Sequence, residues 1–206
     1  IFNTRTNTLE GGLENAGTWF AYGDIRSVIA NFDESNTVRL YDTETGVNRL
    51  TIEQVADVPQ FSPDCLWLAV YVVEGGIEVY DTTDLSVEYR LDGFRIEKWS
   101  PDSQQMSVIP LDSSHELLGP HHIWTVGEGI SAPIYNVTDR LIWSPDGSQV
   151  AAVIDYEKIR TFDSVTGELL RTIWGYPSGP SRLSGWAGHA RVVSRGPDHY
   201  FLLPVF

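Results

Sequence analysis

An aromatic residue followed by Ser-Pro-Asp occurs three times in this chain: Phe61-Ser62-Pro63-Asp64, Trp99-Ser100-Pro101-Asp102 and Trp143-Ser144-Pro145-Asp146. The aromatic residues stand 38 and 44 positions apart, and an apolar run follows each motif. Recurrence near 40 residues marks a repeat architecture, in which no unit buries both its faces alone and each must stack on its neighbours. The motif therefore constrains the fold before it says anything about chemistry.

Each motif reads as a turn between two strands. Proline presets φ for the early turn position, and aspartate accepts hydrogen bonds from backbone amides ahead of it. After the first motif, residues 66–73 are apolar on both faces and predict a strand buried on both sides. Residues 74–76 predict a hairpin turn and residues 77–80 an alternating neighbour strand. Residues 81–84 turn again, and residues 86–91 predict a more polar outer strand. The last full copy repeats the plan through residues 150–154, 159–162 and 168–173. An earlier copy, with a weaker start at Asp24, runs through residues 28–30, 38–42 and 47–52. The copy begun at Trp99 carries an inserted loop, Pro110 to Pro120, before His122-Ile123-Trp124. A fifth starts near Trp186 and His189. The turn positions Asp24, Asp64, Asp102, Asp146 and His189 lie 40, 38, 44 and 43 apart. Four-stranded antiparallel sheets at this period stack radially as propeller blades. No segment sustains a helical period, and Gly and Pro recur too often for helical repeats. The expected fold is all-β, a propeller of about five repeats.

The Ser-Pro-Asp-Gly turn at 144–147, the buried strand after it, and an aromatic-Asp pair before a second turn resemble the WD-repeat family. Those pairs are Tyr41-Asp42, Tyr80-Asp81 and Phe162-Asp163, and the copy begun at Trp99, the third, has Trp124-Thr125 instead. TolB-like propellers share the aromatic-Ser-Pro-Asp-Gly turn. The resemblance implies a single propeller domain over residues 1–206, with blades at 19–56, 57–95, 96–139 and 140–180. Residues 181–206 form a partial blade and 1–18 the end of a blade. Residues 1–7 align with 40–46, so the chain is expected to begin at a third strand. Two readings stay open: a closed five-bladed ring, with residues near Thr6 to Glu10 completing the blade begun at Trp186, and an excerpt of a larger propeller.

Formal net charge is −14, with 28 acidic against 14 basic residues. The basic residues, such as Arg49, Lys98 and Arg160, are scattered, so a nucleic-acid partner is not expected. No apolar stretch is long enough to span a bilayer. Cys65 is the sole cysteine, which excludes an intrachain disulfide and a cysteine-built zinc site. It occupies the turn slot that Gly147 fills and is expected to be a turn residue.

The residues at the turns are expected to be structural: Asp64, Asp102 and Asp146 at one turn, Asp42, Asp81 and Asp163 at the other. No catalytic residue, metal site or cofactor is assigned. His115, Glu116, His121 and His122 fall in or beside the inserted loop with a spacing that matches no known metal site. His189 and His199 lack a nucleophile motif. Gly11-Gly12 and Gly75-Gly76 lack the Lys or helix start of a phosphate loop. Asn136-Val137-Thr138 fits the N-glycosylation triplet.

Of seven tryptophans, Trp19, Trp99, Trp143 and Trp186 are expected between blades. Trp174 and Tyr176 follow the last strand of copy four, and with His121, His122 and Trp124 they are the candidate partner contacts, since loops on rigid scaffolds carry recognition. The expected function is a non-catalytic scaffold for a protein partner, for self-assembly or for the rest of a longer chain. The alternatives are the propeller domain of a longer, peptidase-associated enzyme and a secreted ligand- or glycan-binding propeller.

Overall fold

The computed structural model describes residues 2–3, 8–9, 19–23, 28–73, 76–111, 120–155, 158–174, 182–186, 191–195 and 200–204; side chains are described at 30, 32–73, 76–111, 120–155 and 158–172. Every regular element among these residues is a β-strand, and no helix is long and apolar enough to cross a membrane. The chain divides into two compact units, Ile1–Gly93 and Phe94–Phe206.

In the first unit, β1 (Phe2–Asn3) and β2 (Thr8–Leu9) form a hairpin. Blade one follows as β3 (Trp19–Gly23), β4 (Val28–Phe32), β5 (Val38–Asp42) and β6 (Asn48–Ile52). Blade two is β7 (Gln60–Phe61), β8 (Trp67–Val72), β9 (Gly76–Asp81) and β10 (Val87–Leu91). In the second unit, blade three is β11 (Phe94–Trp99), β12 (Gln105–Pro110), β13 (His122–Thr125) and β14 (Gly129–Ile130). Blade four is β15 (Ile142–Trp143), β16 (Gln149–Ile154), β17 (Lys158–Asp163) and β18 (Leu169–Trp174). A three-stranded sheet comprises β19 (Arg182–Trp186), β20 (Arg191–Arg195) and β21 (Tyr200–Pro204). Each blade is a four-stranded antiparallel meander in chain order.

The motif turn joins the first and second strands of its blade through one hydrogen-bond pattern. Ser100 Oγ donates to Asp102 Oδ1 at 2.6 Å and accepts the Gln105 amide at 2.9 Å, while the Gln104 amide donates to the same carboxylate oxygen. Ser62 with Asp64, Leu66 and Trp67, and Ser144 with Asp146, Ser148 and Gln149, repeat it. All three serines are buried. The residue after each aspartate adopts left-handed φ: Cys65 at 58°, Ser103 at 64°, Gly147 at 77°. The expected equivalence of Cys65 and Gly147 is thus a shared backbone conformation. At 147 space favours glycine as well, because a Cβ there would lie 2.6 Å from Asp102 Cγ and the carboxylate would have to shift from its turn partners.

The second kind of turn joins the third and fourth strands. Asp42 Oδ1 accepts the amides of Glu44 and Thr45, Asp163 Oδ1 those of Val165 and Thr166, and Asp81 Oδ1 that of Thr83. Gly46, Leu85 and Gly167 hold the left-handed slot that closes each turn. Leu85 tolerates this slot because its side chain is buried in the core.

Within each unit the core lies between successive blades. Ala30, Val38, Leu40 and Ile52 of blade one meet Leu68, Val70, Tyr80 and Leu85 of blade two. Ile123 of blade three meets Trp143, Val150, Ala152, Ile154 and Phe162 of blade four. The linkers contribute plugs, Val55 bridging Val72 and Val137 bridging Ile154, both fully buried. Trp99 and Trp143 are buried as expected, whereas Trp67 is half-buried and stacks edge-on against Tyr89 at 5.7 Å. Trp19 and Trp186 lie in β3 and β19, with side chains outside the described set.

Two outcomes are expected. Ser100→Ala should cost about 1–3 kcal/mol in urea unfolding, since it leaves the buried Gln105 amide without its acceptor, whereas Glu53→Ala at an exposed position should stay within about 0.5 kcal/mol. Gly147→Ala should lose about 2 kcal/mol or more through left-handed strain and the Asp102 contact. Acid should also weaken the fold. Hydrogen bonds from Ser35, the Arg39 guanidinium and the Thr37 amide hold Asp33 down at about 2, against the usual 3.8. Turn amides and hydroxyls lower Asp42, Asp84, Asp146 and Asp163 as well. Because the folded values are depressed, this stability is fully present above pH 3.8 and lost as pH falls toward 2. Thermal melts at stepped pH should show that decline, and Asp33→Asn should make it shallower.

Candidate functional site

Blade three departs most from the repeat. Its inserted loop starts as β12 ends at Pro110 and re-enters the sheet at His121, whose backbone makes a two-way bridge with Ile134. The loop residues 112–119, including His115 and Glu116, lie outside the described set. The root of the loop is anchored from inside. His121 is 2% exposed, and its Nδ1 lies 3.3 Å from Glu97 Oε2 on β11. The other oxygen of Glu97 accepts the Leu141 amide, also at 3.3 Å, in the linker that enters blade four. One carboxylate thus ties an inner strand, the loop root and the next linker together.

The outer strand of blade three is also interrupted. β14 has two residues where β6, β10 and β18 have five or six. Pro133 has no amide to donate, and beyond β14 the edge is held at Ser131, whose amide donates to Ile123 O at 2.8 Å. The Ile123 amide donates to Ser131 Oγ at 3.0 Å, and His122 Nδ1 lies 3.1 Å from Ser131 O. His122 is half-buried and meets Phe94 edge-on at 5.5 Å. The missing Asp of the aromatic-Asp pair has a local consequence: Trp124-Thr125 leads into a tighter turn, with the Glu128 amide donating to Thr125 O. Trp124, 4% exposed, packs edge-on against Trp99.

The structure therefore brings His121, His122 and the root of the inserted loop together, but it buries the rings of His121 and Trp124, which removes them from the surface. Trp174 stands at the end of β18 opposite Lys158, with its side chain outside the described set, as is all of Tyr176. No group of three His, Cys, Asp or Glu side chains is placed to hold a metal among the described residues. Sequence reasoning missed two residues. Glu97 gave no signal, because its partners are 24 and 44 positions away. Tyr135 is 64% exposed beside the loop root, one residue after the Ile134 bridge. An aromatic outside every repeat slot, two positions after Pro133 in a linker, was its available sign.

Loss of the Glu97 carboxylate would leave two buried groups unmet. Glu97→Ala is expected to cost about 2 kcal/mol, a melting-temperature drop of about 4–8 °C for a chain this size, while Glu97→Gln should lose less than half of that.

No family model and no curated protein matches the chain. Solved structures do. Hsv2 of Kluyveromyces lactis superposes with a TM-score of 0.66 at 15% identity, over 100% of this chain and 67% of that one. Hsv2 of Kluyvelomyces marxianus gives 0.63 at 13%, over 88% of this chain and 58% of that one. The Cps50 (Swd1) β-propeller domain of Myceliophteria thermophila gives 0.55 at 13%, over 98% and 68%. The chain thus spans 58% to 68% of the length of these neighbours. At such identities the likeness establishes the fold alone, which is a β-propeller.

Proposed function

We propose that this chain is a non-catalytic propeller scaffold that binds a protein partner through the loop end of blade three. The observation that carries the reading is Tyr135, a large exposed aromatic beside a loop root that is itself immobilised by buried contacts. Rigid scaffolds present recognition residues this way, because little side-chain and loop entropy remains to be lost on binding. Tyrosine is enriched among residues that dominate interface energetics. The net charge of −14 favours a protein over a nucleic acid. The propeller neighbours support a binding role at the level of the fold class only. Trp174, at the end of β18, and Tyr176, two positions further along the chain, remain proposed contacts.

Proteins captured on the wild-type chain should fall at least about tenfold in amount with Tyr135→Ala, the loss expected of a dominant interface residue. Circular dichroism of the variant should be unchanged. Equal capture by wild type, Tyr135→Ala and a chain whose residues 112–119 are replaced by Gly and Ser would refute the reading.

A further inference from the structure

Asn136-Val137-Thr138 is the only Asn-x-Ser/Thr triplet in the 206 residues, and the fold treats its three members differently. Asn136 is exposed, with left-handed φ of 60°. Its carbonyl accepts the Asp155 amide, so the backbone is pinned while the side chain stays outside. Val137 is fully buried as the interblade plug. Thr138 is 6% exposed; its amide donates to Val153 O at 2.9 Å and its hydroxyl lies 3.2 Å from the same oxygen.

We propose that Asn136 is an N-glycan acceptor that is open only before the linker docks on β16. The triplet requires a hydroxyl at its third position, and folding withdraws that hydroxyl from any enzyme that must read it. Of the three residues Asn136 alone stays exposed, so a glycan added early is compatible with the finished fold. Transfer forms a bond from Asn136 Nδ2 to the anomeric carbon of a lipid-diphosphate-linked oligosaccharide. It breaks the anomeric C–O bond, and the lipid diphosphate and the amide proton leave. The linker between blades one and two shows what the slot tolerates: Gln54 holds the same place at φ 57°, its carbonyl accepting the Val73 amide before the Val55 plug. Asn136→Gln is therefore a substitution the backbone already accommodates elsewhere in the chain. The proposal stands apart from the protein-binding reading, but a glycan at 136 would flank Tyr135, so partner capture belongs on unglycosylated material.

The test is translation of the full chain behind a secretory leader with microsomes present. An endoglycosidase-sensitive single-step mobility shift is expected, absent in Asn136→Gln and retained in Thr138→Ser. Folded chain added afterwards to permeabilised microsomes should remain unshifted. No shift during translation, or a shift that persists in Asn136→Gln, overturns the acceptor assignment. Equal modification of the folded chain overturns the order of events.

Discussion

The hydroxyl of a buried serine organises each motif-bearing blade. It donates to the aspartate two residues ahead and accepts the amide five residues ahead, so it fixes both limbs of the turn between the first and second strands. The second kind of turn then hangs on the first: Thr82, Val126 and Ser164 donate their amides to the carbonyls of Leu66, Gln104 and Ser148. Gln105 extends the pattern from blade three to blade four through a bond to Ser164 O. Buried polar groups with their partners in place order a structure, and the same groups left unmet would be costly.

The repeat conserves backbone conformation more strictly than residue type. Cys65, Ser103 and Gly147 share one left-handed position, Gly46, Leu85 and Gly167 a second, Gln54 and Asn136 a third. A non-glycine residue persists in such a slot where burial or hydrogen bonding offsets the local strain. Leu85 does so by entering the core, and Asn136 by lending its carbonyl to Asp155. A reader who matches residues alone would miss these equivalences.

Blade three shows how a repeat acquires a distinctive surface. Its loop, its shortened outer strand and its altered second turn all fall on one blade, and side chains tie them to the sheet: Glu97 under the loop root, Ser131 and His122 along the sheet edge. The frame beneath, Ser100-Pro101-Asp102, is unchanged. The surface can vary there because the turn that builds the blade does not depend on the loop.

The fold was legible in the chain because its determinants are local and repeated. Proline, aspartate and the alternation of apolar residues act within a few positions, and copies of a pattern confirm one another. The Asp42 and Asp163 turns followed from the same logic. The candidate site was far less legible. Whether His121 is exposed depends on Glu97, 24 positions earlier, and on the Ile134 bridge. Whether Tyr135 faces solvent depends on which neighbours the linker spans. Strands, turns, the doubly buried strands and the propeller they build were written in local spacing and residue type. Burial elsewhere was not: whether His121 is covered and Tyr135 exposed is set by packing between elements far apart in the chain, which no local pattern encodes.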